Sequence, residues 1–115
     1  MIQGKKITMA MNHPNGHFPT ILPILKVDNY ENWCKQMKVL FRCQGLWDLV
    51  KDGVKTLGED ASEEEKQEHI ESEKKSYKAL FIIHQCLSPD NFEKVSDVES
   101  ANDACEILEK SFRDT

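Results

Sequence analysis

The residues best suited to chemistry in this chain are four histidines, four cysteines and a dense run of carboxylates. His13 and His17 stand four apart, a spacing that puts two imidazoles on one helix face and would suit zinc. Pro14 and Gly16 lie between them and break the helix that this geometry needs, and no third and fourth ligand follows. Cys34, Cys43, Cys86 and Cys105 are separated by 9, 43 and 19 positions, which is neither a CxxC pair nor a zinc-ligand spacing. Each falls within an apolar helical pattern, so all four are expected to be reduced thiols that pack as small hydrophobes. His84 lies on an apolar stripe beside Cys86, yet no Ser or Cys nucleophile with an orienting carboxylate can be placed near it from spacing. A core or boundary histidine is the expectation.

The carboxylates from Glu59 to Glu73 lack the alternating Asp pattern and central Gly of a calcium loop. They also lack the apolar setting that would hold one carboxyl protonated for acid–base work. A solvated helix face is expected instead. The five glycines are scattered and form no phosphate cradle. No catalytic, cofactor-binding or metal site is therefore assigned, and neither an enzyme nor a small-molecule substrate is expected.

Composition agrees with a binding module. With 115 residues the chain suits one domain with one core, and 39% hydrophobic against 30% charged residues implies a small core beneath a wide solvated face. The net charge of −5 is unevenly spread: Met1 to Gly58 carries +4 and Glu59 to Thr115 carries −9. An acidic surface repels phosphate, so direct nucleic-acid binding is not expected. Opposite halves of two copies could instead steer toward one another. Met1 to Asn12 contains no secretory apolar stretch, Ile2 excludes N-myristoylation, and the longest apolar run, Ala79 to Ile83, is too short to cross a membrane. The expected location is the cytoplasm, with the nucleus also compatible.

The elements that must position these side chains read as helices. Residues 1–17 are expected to form a flexible arm and residues 18–115 a single helical domain. Pro14, Pro19 and Pro23 keep Met1 to Lys26 extended, while Phe18, Ile21, Leu22, Ile24, Leu25 and Val27 are apolar enough to lie across the helices. Asp28 or Asn29 caps a first helix running to about Gln44, with Glu31 completing a box-like arrangement after Asp28. Tyr30, Trp33, Met37, Leu40 and Phe41 recur at spacings of three and four on its apolar stripe. Gly45 ends that helix, and Leu46, Trp47 and Val50 form the face of a short second one, Leu46 to Lys51, stopped by Gly53.

After a loop to Ala61, Ser62 and Glu65 form a capping box and Glu63 to Glu65 load the positive end of a helix dipole. This third helix is expected to reach Leu87, polar at first and then apolar along Tyr77, Leu80, Phe81, His84 and Leu87. Ser88-Pro89 opens a short fourth helix to Val95, and Ser100 caps a fifth, Ala101 to Arg113. No segment alternates as a strand must. The expected fold is all-α, a small bundle of about five helices, two of them short, with an extended Pro-containing N-terminal arm. Tyr30, Trp33, Met37, Phe41, Leu46, Trp47, Val50, Tyr77 and Phe81 are its candidate core or interaction anchors, Trp47 being the one expected to be partly exposed.

The segment VDNYENWCKQMK, Val27 to Lys38, resembles the opening hallmark of the Gag region of plant copia-type retrotransposons, where an Asp/Glu-Asn-Tyr turn leads into a Trp-containing helix. Gln44 to Val50 is similar to that family's next element, and Ala79 to Leu87 with Phe92 to Val95 to its long helix followed by a short one. Ser100 to Phe112 resembles its Ala-Trp-Glu-x-Leu helix, with Cys105 standing where the family carries Trp. The resemblance spans Pro19 to Phe112. It implies an amino-terminal capsid lobe that associates with itself, or with other Gag-like chains, into a particle, and that meets RNA only indirectly, through regions absent from these residues. A fragment of Gag and a domesticated host form are both compatible with it. The domesticated form would act as an adaptor holding a peptide or helix of another protein.

Overall fold

The computed structural model describes residues 21–113. The expected flexible arm of residues 1–17, with His13 and His17, and Phe18 lie outside the described residues. Five helices follow in order: α1 (Tyr30–Cys43), α2 (Trp47–Asp52), α3 (Glu63–Gln85), α4 (Pro89–Val95) and α5 (Ala101–Arg113). The fold is all-α, with α2 and α4 as the two short helices. The only extended pairing among the described residues is an isolated parallel bridge between Leu25 and Leu87.

Local signals account for most helix ends. Ser62 Oγ accepts from the Glu65 backbone N–H at 3.1 Å, and Glu65 Oε1 accepts from the Ser62 N–H at 2.8 Å. This reciprocal box satisfies two donors that the first turn of α3 leaves unpaired. Ser88 Oγ accepts from Asn91 N–H to start α4 with Pro89 in its first turn, and Ser100 Oγ accepts from Asp103 N–H at 3.0 Å to start α5. Between α1 and α2 the chain turns at Gly45, whose φ of 72° is costly for any residue with a Cβ.

The start of α1 differs from expectation. Asn29 is its N-cap residue, but its side chain makes no cap bond. It turns back onto the arm instead: Oδ1 accepts from Lys26 N–H at 2.7 Å and Nδ2 donates to the Ile24 carbonyl at 2.9 Å. An Asn amide carries both a donor and an acceptor and so can bracket a bend that an Asp carboxylate could not. The second helix also begins one residue later than expected, with Leu46 as its N-cap residue and buried.

The core gathers Leu25, Trp33, Met37, Leu40, Phe41, Leu46, Val50, Leu80, Ile83, Cys86, Val95 and Leu108. Helix α5 packs against α2, α3 and α4, so it is the element around which the others close. Leu25 joins the arm to this core: its N–H donates to the Cys86 carbonyl at 2.9 Å and its carbonyl accepts from Ser88 N–H at 3.1 Å. Its side chain is wholly buried, whereas Ile21 and Val27 are almost fully exposed, so the arm lies on the bundle through one residue face rather than all of its apolar positions.

Helix α3 carries the main correction. Its buried stripe is Ser76, Ala79, Leu80, Ile82 and Ile83, continued by Cys86 and Leu87 beyond its end. Tyr77 and Phe81 point to solvent, 53% and 57% exposed, and His84 sits at the boundary. Two apolar stripes run along the second half of α3, and the one holding small residues and Ile faces the bundle because its neighbours approach closely there. Cys43 is a second correction. It is exposed on the last turn of α1, while Cys86 is buried and Cys34 and Cys105 are half-buried; all four thiols are free.

Candidate functional site

Seven of the nine candidate anchors gather in one region. Trp33, Met37 and Phe41 share the inner stripe of α1, Leu46 and Val50 fix α2 beneath it, and Tyr30 and Trp47 stand half-buried at its edges. Between α1, α2 and α5 they leave an apolar groove of about 320 Å³ that also takes in Cys34, Cys105 and Leu108. Lys38 and Lys51 edge it on one side and Glu106 and Glu109 on the other. The Lys38 ammonium lies 5.4 Å from the Trp47 ring centroid, a cation–π contact that holds the indole against the surface.

Tyr30, at the edge of the groove, belongs to an aromatic stack. Tyr30 lies over Phe112 at 5.0 Å with planes 2° apart, and Tyr30 and Trp33 centroids are 6.3 Å apart. Lys94 covers the Phe112 ring at 4.7 Å. Trp33 is anchored from within, its Nε1–H donating to the Cys86 carbonyl at 3.0 Å. That carbonyl lies past the end of α3, where helix carbonyls lack intrahelical partners. It therefore receives both the arm's Leu25 N–H and the Trp33 indole.

The groove thiols are poor nucleophiles. Burial pushes Cys105 up to about 12, with the Cys34 thiol and Glu109 adding to the shift, and burial also raises Cys34. Cys86 is pushed up to about 11 by burial alone. The thiolate is the reactive form, so at neutral pH these three act as apolar filler. Burial likewise pushes the Tyr30 phenol upward, so it stays neutral. Among the described residues, no three His, Cys, Asp or Glu side chains stand close enough to hold a metal ion.

Tyr77 and Phe81 lie elsewhere, on the outer face of α3. Ile70, 44% exposed, shares that helix face with them, and Phe92 of α4 is 37% exposed. The His84 ring stands edge-on to Phe92 at 4.8 Å and 84°. Burial lowers the His84 pKa, and its Nε2 is buried without a hydrogen-bond partner. The Tyr77 hydroxyl reaches Glu99 Oε1 at 3.4 Å.

Two asparagines of structural consequence gave no signal in the sequence pattern. Asn91 Nδ2 donates to the Leu25 carbonyl at 3.0 Å and so fastens the arm to α4. Asn102 Nδ2 donates to the Val50 and Lys51 carbonyls, both at 3.1 Å, and closes the end of α2 from α5. Both join residues more than fifty positions apart, a relation that helical periodicity does not encode.

Fold and surfaces together define a five-helix module with a lined groove on one side and an apolar helix face outside it. No helix among the described residues is long and apolar enough to cross a membrane. Comparison of the chain with family models, curated proteins and solved structures finds no match.

Proposed function

We propose that the chain is a capsid-like interaction module that works by self-association, as its resemblance to copia-type Gag implies, and that it performs no catalysis. The observation that carries this reading is the outward stripe of α3, where Ile70, Tyr77 and Phe81 are left about half exposed although the same helix has a second apolar face in the core. Full burial of such a side chain is worth about 1.5–3 kcal/mol, and a partner surface would recover the roughly half of it that partial exposure forgoes. The cytoplasm is the proposed location, with RNA reached only through other regions of a larger Gag.

Sedimentation velocity from micromolar to millimolar chain tests the reading. The expected result is a concentration-dependent rise in sedimentation coefficient; a single monomeric species throughout refutes it.

The groove supports a second reading, a domesticated adaptor that seats an apolar helix or peptide beside Trp47. In that case Trp47→Ala leaves sedimentation unchanged and removes binding of amphipathic helical peptides, followed by fluorescence anisotropy. Equal peptide binding by wild type and variant refutes it.

A further inference from the structure

The outer face of α3 has a spacing that the core does not use. Gln67, Lys74 and Phe81 alternate with Ile70, Tyr77 and His84 at steps of three and four residues, the spacing of a/d positions in a heptad, apolar at three of the six. Of these, Ile70, Tyr77 and Phe81 are the exposed apolar members, and they line up along the helix opposite the stripe buried in the bundle.

We propose that two copies of this chain dimerise by laying their α3 helices antiparallel along this seam. The inference rests on the self-association reading and names its surface. One register satisfies the seam. Ile70 of one copy packs on Phe81 of the second, Lys74 lies against the face of the second copy's Tyr77, and Gln67 meets the second copy's His84. By symmetry each contact occurs twice.

Charge selects the direction. In the antiparallel pair Glu71 of each copy flanks Lys78 of the other, giving two opposite-charge contacts beside the apolar seam. Lys74 meets an aromatic face, an arrangement that attracts a cation. A parallel pair would set Lys74 on Lys74 and bring the two acidic starts of α3, Glu63 to Glu65, side by side. It would also align the helix dipoles, so like charges oppose it along its length. The antiparallel pair places those acidic starts at opposite ends, where they do not meet. The contact involves one helix per copy and falls at the small end of specific interfaces, below about 1,200 Å², so a weak dimer is expected.

Sedimentation equilibrium with full-length chain provides the first test. Phe81→Glu removes dimerisation, while circular dichroism stays that of wild type because Phe81 contributes little to the core. Lys78→Glu weakens association about tenfold or more by creating two like-charge contacts. Adding Glu71→Lys to Lys78→Glu restores it. Register is read by mild oxidation in a Cys43→Ser background: a mixture of Ile70→Cys and Phe81→Cys chains gives a mixed disulfide, and neither chain alone cross-links. Self-association unchanged by Phe81→Glu and by Lys78→Glu overturns the proposed face and leaves the self-association reading intact. Cross-linking of Ile70→Cys with itself overturns the antiparallel direction. A wild-type chain that stays monomeric at millimolar concentration overturns the self-association reading itself, and the dimer with it.

Discussion

Leu25 lies in a segment without helix, yet the structure makes it part of the core, and Leu25→Ala measures how much. The side chain is 0% exposed, and the backbone around it is clamped by the Cys86 carbonyl, the Ser88 N–H and the Asn91 amide. Burying a leucine and then deleting three of its carbons costs about 2–5 kcal/mol, the value depending on how far the site collapses. Here the clamped backbone prevents collapse, so a loss of about 3–4 kcal/mol is expected. At about 4–8 °C per kcal/mol for a domain of this size, the midpoint of thermal unfolding should fall by about 12–30 °C. Urea and thermal unfolding followed by circular dichroism provide the measurement, with Val27→Ala as the control, since Val27 is 90% exposed and its loss should change stability by less than about 0.5 kcal/mol. If Leu25→Ala costs less than about 1 kcal/mol, the arm is not an integral part of the core.

Ser62→Ala removes the acceptor for Glu65 N–H and should lower stability by about 0.5–2 kcal/mol, seen as a shift in urea midpoint at constant slope. Lowering pH below about 6.5 should destabilise the wild type. Burial holds the folded His84 pKa beneath its unfolded value, so the unfolded chain takes up the proton first, and the stability present above pH 6.5 is lost as pH falls toward the folded pKa. A His84→Gln variant should show a flatter thermal midpoint between pH 7 and pH 5; equal slopes for the two proteins count against the assignment. Alkylation with iodoacetamide at pH 8 should label Cys43 within the time that leaves Cys86 and Cys105 unmodified, as peptide mass mapping reads directly, and uniform labelling of all four would contradict their burial.

The sequence by itself determined the five helices. The starts of α3, α4 and α5 are written in short-range chemistry, Ser62 with Glu65, Ser88 with Asn91 and Ser100 with Asp103, each a contact between residues three apart. The stripe of Trp33, Met37 and Phe41 was legible for the same reason, since one helical period decides which residues share a face. What it left open was which of two faces a helix would bury. On α3 both Tyr77 with Phe81 and Ala79 with Ile83 recur at intervals of four, and periodicity gives no preference between them. The tertiary structure decided it, because α2 and α5 pack against the face that small side chains let them approach. It also turned Asn29 from a helix cap into a clasp on the arm, and it set Asn91 and Asn102 against carbonyls far away in the chain. Hydrogen bonds of that kind depend on where helix ends meet in space, a property of the packed bundle and of no local stretch of residues.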